Sequence, residues 1–454
     1  MLIKKINTLY NSFELYTLFK DNPYSFFLDS GMDHERLGKY SFIGFDPFMI
    51  FKSKNNKITI TKDHETKSYT GNPFKKLKEL LSLYKMDYET DLPFIGGAVG
   101  YFSYDLCHHI EKLPRTAIDD VNIPDCFLCF YDGIIIINHE KNEVSIAALG
   151  IKATEKEIIS AIENIIENKH LPKINDIPEK EKVSIQSNFK KEDYLEAINK
   201  VKDYILSGDI YQANMTQRFS CTIHEDPLMI YNRLRTINPA PFASFLNYGD
   251  FHIASSSPER FIKINGNKME TRPIKGTRPR GKNIEEDIKN KEELLSSEKD
   301  QAELLMIVDL ERNDLGKISK TGTVEVTELF HLETYPTVYH LVSTVIGEIK
   351  DEYDVIDCIE ATFPGGSITG APKIRAMEII DELEPTQRNI YTGSIGYIGF
   401  NGNTDLNIVI RTMVCKNNKA YFQAGGGIVW DSDANLEYEE TLHKAKALIK
   451  ALKG

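Results

Sequence analysis

The segment best equipped for chemistry is Thr271-Arg-Pro-Ile-Lys275-Gly276-Thr277-Arg-Pro-Arg280-Gly281, one lysine beside a glycine and among three arginines. A lysine attacks carbon only when its ammonium is destabilised by burial or by like charge. The guanidiniums would supply the second condition and Gly276 would open access. The same run also suits a solvated basic loop. Acids recur three apart in two stretches of helical spacing, Asp300 with Glu303 and Glu437 with Glu440. Positions i and i+3 share a helix face, and two such faces meeting would make an oxygen-rich site suited to Mg2+. In the last helix these acids read as lying opposite the apolar stripe, as a solvated face would. Gly425-Gly426-Gly427 stands shortly before them and offers backbone N–H groups to an anion.

Pro364-Gly-Gly-Ser-Ile-Thr-Gly-Ala-Pro372-Lys373 leads into the helical pattern Ile374, Met377, Ile380. It reads as an anion-binding helix N-terminus, or as an ordinary turn, and lacks the Lys-Ser or Lys-Thr of a phosphate-binding P-loop. His340 sits in an apolar run, where a histidine is usually a satisfied core residue. Arg411 reads as a strand residue within Asn407-Ile-Val-Ile-Arg-Thr412. A cation buried there needs a partner, either a structural acid or a substrate carboxylate. Arg312-Asn313-Asp314 reads as a polar helix end that braces structure.

The elements that position these groups are legible from periodicity. Tyr24 to Asp29, Phe42 to Phe51 and Lys57 to Thr61 suggest strands. Helices are expected at Phe74 to Tyr84, at 154–168, and from Tyr194 to a stop at Gly208. Gly96, Gly97 and Gly100 interrupt Phe94 to Tyr104, which suggests close backbone approach. Residues 209–280 read as strand-rich, 285–315 as long and helical, and Asn389 to Val429 as strands joined at Asn401-Gly402 and Asn417-Asn418. A helix over 434–452 closes the chain. Residues 171–188 carry prolines and charges without periodicity and read as a linker between an N-terminal region, 1–170, and a catalytic region, 189–454. Antiparallel runs with helices set apart argue for an α+β fold.

With 454 residues, 41% of them hydrophobic, the chain can build a large core, and its formal net charge of -12 opposes binding to nucleic acid or to anionic membranes. The six cysteines are scattered; only Cys126 and Cys129 are close, and the apolar residues around them read as a buried strand rather than a metal site. Sparse thiols, an N-terminus (MLIKKINTLY) without a signal-like apolar run, and no apolar stretch long enough to span a bilayer point to a cytoplasmic protein.

Taken together and in order, Ser257-Pro-Glu259-Arg-Phe, PIKGTRPRG, the run from Ala302-Glu303 to Asp314-Leu-Gly, PGGSITGAPK, AGGGIV and Glu440-Thr441 resemble the chorismate-utilising enzymes, strongly over residues 190–450 and more weakly over 1–170. The resemblance implies two packed antiparallel sheets flanked by helices, with the active site between them. Aminodeoxychorismate synthases are similar in carrying Pro-Ile-Lys-Gly-Thr, whereas anthranilate synthases usually have Ala at the lysine. Isochorismate and salicylate synthases place a water-activating lysine where Gln212 stands. The resemblance therefore implies amination of chorismate at C4 to 4-amino-4-deoxychorismate, with anthranilate synthesis as the alternative. By the same likeness Lys275 is the covalent nucleophile, Glu259 the general acid, and Glu303 and Glu440 the Mg2+ ligands. Gly276, Thr277, His340, Ser367, Tyr391, Arg411, Gly426, Gly427 and Lys444 match substrate contacts. Ammonia would come from a separate glutamine amidotransferase subunit. Ser30, Lys39, Tyr40, Ser41, Pro241, Phe242 and Ala243 resemble pieces of the family's tryptophan pocket, although Asp29 stands where feedback-inhibited members carry Glu.

Overall fold

A computed structural model of the chain describes residues 1–33, 36–171, 183–335 and 338–453. Among these residues lie two sheets of twelve strands each. Every paired strand runs antiparallel, as expected. In the first sheet, strands from the N-terminal region (Leu2–Ile6, Glu143–Ala148, Gly133–Asn138, Tyr40–Gly44, Phe26–Asp29) continue into Phe242–Asn247, Phe251–Ser257, Thr412–Lys416, Lys419–Ile428 and Gln212–Thr222. In the second, Ile274–Pro279, Val338–Glu348, Lys268–Arg272, Arg260–Asn265, Thr404–Asn407 and Ser394–Gly399 continue into Gly97–Phe102, Cys126–Tyr131, Met49–Lys54, Lys57–Lys62 and Glu65–Thr70. The stretches on either side of residues 171–188 thus share both sheets. Of that linker stretch, 172–182 lie outside the described residues, and Gln186–Ser187 adds a short strand to Gln212–Thr222.

The run Ile134 to Ile137 shows how the sheets are buried. Ile134 and Ile136 enter the core between the sheets with Phe51, Phe94 and Phe130. Ile135 and Ile137 enter a second core, where the first sheet meets the Pro227–Ile237 and Ala434–Lys453 helices. A strand with apolar residues on both faces needs exactly this double cover, because alternate side chains point opposite ways. Gly100 serves the second sheet: a Cβ there would lie 1.9 Å from the Phe127 carbonyl oxygen. Cys126 and Cys129 are buried in their strand as expected, and all six thiols are free and buried. No helix among the described residues is long and apolar enough to cross a membrane.

Three local expectations are corrected. The stretch 285–315 is two helices, Ile284–Ser296 and Glu298–Ile318, because Ser297 stops the first and caps the second through the Asp300 amide. The strand-rich stretch also contains the Pro227–Ile237 helix, which Asp226 caps and Pro227 starts. Arg411 is not in a strand: it lies between Thr404–Asn407 and Thr412–Lys416 with φ of 50°.

Candidate active site

Lys275 lies in the Ile274–Pro279 strand, opposite Leu341 of Val338–Glu348. It is half-buried, and its Nζ donates to the Ser367 carbonyl oxygen at 3.2 Å. Burial pushes the ammonium below the usual lysine range; Lys444 pushes the same way, while Glu303, Glu259 and Glu440 oppose it. The three arginines do not supply the like charge expected of them. Arg278 pairs with Glu293 and Asp300, Arg280 with Asp287, and Arg272 with Glu333 and Glu328. Those carboxylates neutralise the guanidiniums locally, so desolvation does the work instead.

Glu259 follows the Phe251–Ser257 strand and is 5% exposed. Its Oε1 accepts from the Ile274 amide at 3.3 Å, next to the lysine. Burial raises its carboxyl, and the Ser367 hydroxyl and Lys275 pull it back. Ser367 thus touches both groups from a single 3₁₀ turn, Gly366–Ile368. The Pro364–Lys373 motif that carries this turn is not an open anion cradle. Pro372 precedes the Lys373–Leu383 helix, and the Lys373 ammonium folds inward to Asp314 and to the carbonyls of Thr362 and Pro364 at 3.0 and 2.7 Å. Asp314, 1% exposed, is the brace its motif suggested, though it sits within the Glu298–Ile318 helix rather than at its end.

The acids gather from two helices. Glu303 projects from Glu298–Ile318, and burial raises its carboxyl against Lys275 and Lys299. Glu440 projects from Ala434–Lys453. Burial raises its carboxyl, but Lys444, whose Nζ is 2.7 Å away, and Lys275 together bring it below the ordinary value. Glu437 corrects the expectation of a solvated face: it is buried on the same stripe as Thr441, Ala445 and Leu448, and accepts from the Ser432 hydroxyl at 2.7 Å. Gly426 makes this approach feasible, since a Cβ there would stand 3.2 Å from Glu437 Oε2 and 3.3 Å from Glu440 Oε1. The three glycines belong to the Lys419–Ile428 strand rather than to a loop. Gly427 lies against the Gln212 amide, whose nitrogen and oxygen are both buried without a hydrogen-bond partner among the described residues. Asp300 is committed to Arg278 at 3.1 Å.

Among the described residues no three His, Cys, Asp or Glu side chains form a metal-holding group. The Glu303 and Glu440 carboxylates, near enough for one to act on the other, still fit Mg2+, which favours oxygen donors and completes its octahedron with water and substrate oxygens. Lys444 also donates to the Gly425 carbonyl at 2.9 Å.

The remaining predicted contacts surround the same space. Thr277 Oγ1 lies 2.9 Å from His340 Nδ1, and burial, then Arg411, pushes the His340 imidazole down to about 3, so it is neutral at physiological pH. Gly276, between Lys275 and Thr277, takes φ of 76° and faces Asp300. Tyr391 is buried, and burial pushes its phenol well above the ordinary value, with Glu259 contributing. Arg411 donates to Asn238 Oδ1 at 3.3 Å. It forms no ion pair among the described residues, and burial lowers its guanidinium. Asn238 as the holder of Arg411 was not foreseen.

The other predicted pocket is separate. Ser30, Lys39, Tyr40, Pro241, Phe242 and Ala243 line a cavity of about 160 Å3 with Arg260, Lys263 and Asp405. Ser41 stands behind it, accepting from the Ser30 amide at 3.0 Å. Asp29 is held by Arg235 at 2.6 Å and Tyr231 at 3.0 Å.

Residues 23–450 match the chorismate binding enzyme family. The chain is 41% identical to anthranilate synthase component 1 of Acetivibrio thermocellus, covering 96% of this chain and 92% of that protein. It is 39% identical to aminodeoxychorismate synthase component 1 of Bacillus subtilis (strain 168), covering 93% and 91%. Anthranilate synthase component I of Streptococcus pneumoniae TIGR4 superposes with a TM-score of 0.82 at 33% identity, over 90% of this chain and 92% of that one. The menaquinone-specific isochorismate synthase of Escherichia coli shares the fold with a TM-score of 0.74 at 16% identity, over 99% and 94%. Two antiparallel sheets, acids and cations gathered around Lys275, and similarity along nearly the whole length lead to one conclusion: the chain belongs to the chorismate-binding enzymes and acts on chorismate.

Proposed function

We propose that the enzyme aminates chorismate at C4, giving 4-amino-4-deoxychorismate through a transient bond to Lys275. The observation that carries this is Lys275, its Nζ turned inward onto Ser367 beside Glu259 and its ammonium pushed below the usual lysine range by burial. The arrangement supplies each need of the reaction. Chorismate is a dianion, and Arg411, a cation with no ion pair among the described residues, is suited to a carboxylate. Neutral His340 and Thr277 offer hydrogen bonds without adding charge. Glu303 and Glu440 would hold Mg2+, which when bound supplies Lewis-acid stabilisation of charge on the ring carboxylate. Glu259, whose carboxyl burial raises toward the protonated form, gives its proton to the C4 hydroxyl, which leaves as water. As the C4–O bond breaks, the ring double bonds shift and the Lys275 amine bonds to C2. Ammonia then bonds to C4, the double bonds shift back, and the C2–N pair returns to the lysine. The proton lost by the new C4 ammonium restores Glu259.

Ammonia is mostly protonated at neutral pH, so we propose a glutamine amidotransferase subunit as its source; the "component 1" names of the relatives support a second component. The 160 Å3 cavity would take tryptophan as a structural ligand. The test is product analysis with chorismate, Mg2+ and ammonia. Formation of 4-amino-4-deoxychorismate is expected. Anthranilate with pyruvate would instead make the enzyme an anthranilate synthase, the activity that several relatives carry.

A further inference from the structure

Glu311 takes no part in the chemistry above, yet it lies directly beneath it. It faces inward from the Glu298–Ile318 helix, two turns past Glu303, and is 4% exposed. Its Oε1 accepts from the Gly366 amide at 3.0 Å, and the Thr271 hydroxyl bonds to Oε2 at 3.3 Å. Gly366 opens the turn whose next residue, Ser367, touches both Lys275 and Glu259. Thr271 is the next-to-last residue of the Lys268–Arg272 strand, four residues before Lys275. The contact is close: a Cβ on Gly366 would stand 3.1 Å from Glu311 Oε1. No cation pairs with Glu311 among the described residues, although Asp314, Lys373 and Glu259 all act on it, and burial pushes its carboxyl up to about 7. A neutral side chain held by two hydrogen bonds costs less to bury there than an unpaired anion. Supporting a reacting group through such an outer contact is how sites are held to a fraction of an ångström.

We propose, on the basis of the chorismate amination described above, that Glu311 is a positioning residue that acts through the Gly366–Ile368 turn, fixing the Ser367 carbonyl against Lys275 and the Ser367 hydroxyl against Glu259. Hydrogen bonding, not charge, does the positioning. The Glu311→Gln variant can still accept from Gly366 and bond Thr271. The Glu311→Met variant keeps the bulk and loses both bonds.

Steady-state kinetics with ammonia, alongside thermal melts, test this. For Glu311→Met, kcat is expected to fall about 30-fold or more with KM for chorismate within about twofold, since displacing a reacting group costs rate rather than binding. Glu311→Gln is expected to keep kcat within about threefold. A folded Glu311→Met enzyme with wild-type kcat would overturn the proposal, as would a Glu311→Gln enzyme no better than Glu311→Met. If Glu311→Met does not fold, Thr271→Val decides: a loss in kcat of about threefold or more at constant KM supports the positioning role, and an unchanged kcat overturns it. Product analysis of the unaltered enzyme keeps this separate from the amination scheme. Were anthranilate the product, the scheme would fail, while the kcat split would still judge Glu311, because Ser367 and Glu259 remain beside the reacting ring.

Discussion

Two arginines about twenty residues apart divide the molecule into two kinds of interior. Arg388 is 1% exposed; it meets Glu384 at 2.7 Å, and also donates to the Asn214 and Ile368 carbonyls at 2.6 and 3.0 Å. Every donor direction there is used by the protein itself. Around Arg411 the protein offers one amide oxygen, from Asn238, and no ion pair among the described residues, although the Glu259 carboxyl acts on it. Lys275 is similar, its Nζ donating to one carbonyl oxygen, that of Ser367. Buried charge with a complete set of partners is architecture, and buried charge without one is held in readiness for a ligand. The same contrast separates Asp314, locked between Lys373 and Lys317, from Glu259, whose carboxyl is raised by burial.

This contrast can be broken by substitution. The largest effect is expected from Lys275→Ala: at least about a 10³-fold loss of 4-amino-4-deoxychorismate formation with an unchanged melting temperature, measured by product chromatography and calorimetry. Arg388→Met should do the reverse, destabilising the fold by about 3–5 kcal/mol in denaturant titration because Glu384 is left buried and unpaired. Arg411→Gln should raise KM for chorismate by about 10- to 100-fold, with stability changed by less than about 1 kcal/mol. The smallest effect concerns Asp105, buried in the Tyr104–His109 turn, where it accepts from the Asn389 amide at 2.9 Å. Burial, with Asp125 adding to it, raises its carboxyl from 3.8 to about 7. Between those values the folded protein keeps a proton that the unfolded chain releases, so stability falls as pH rises through that window. Asp105→Asn should flatten this slope and make the protein more stable than the wild type at pH 8 by about 1–2 kcal/mol; an unchanged slope would show that other groups govern it.

Much of the frame was legible because it is periodic. The helices at 73–83, 155–168, 191–206 and 434–453 and the hairpin at Asn417-Asn418 follow from spacing and turn residues. The mixing of chain regions was not, because strand partners such as Phe245 and Phe27 are 218 positions apart and nothing local announces them. The motif residues do converge on one space, as the resemblance implied. What their spacing could not tell was which charges the protein spends on itself. Arg278 and Arg280 looked like neighbours that would unsettle Lys275, and instead their acids lie on the helices that follow. Glu437 looked solvated because its helix has a mixed face, and it is buried because a glycine strand passes close to it. Glu311 carried a signal that went unused, an acid at an inward position among Leu304, Ile307, Val308 and Leu315.

The most direct test is mass spectrometry of the unaltered protein after incubation with chorismate and Mg2+ in the absence of ammonia. A mass increase equal to chorismate less water, located on the peptide containing Lys275 and absent from Lys275→Ala, is the expected result. An unmodified Lys275 peptide from enzyme that turns chorismate over once ammonia is added would contradict covalent catalysis.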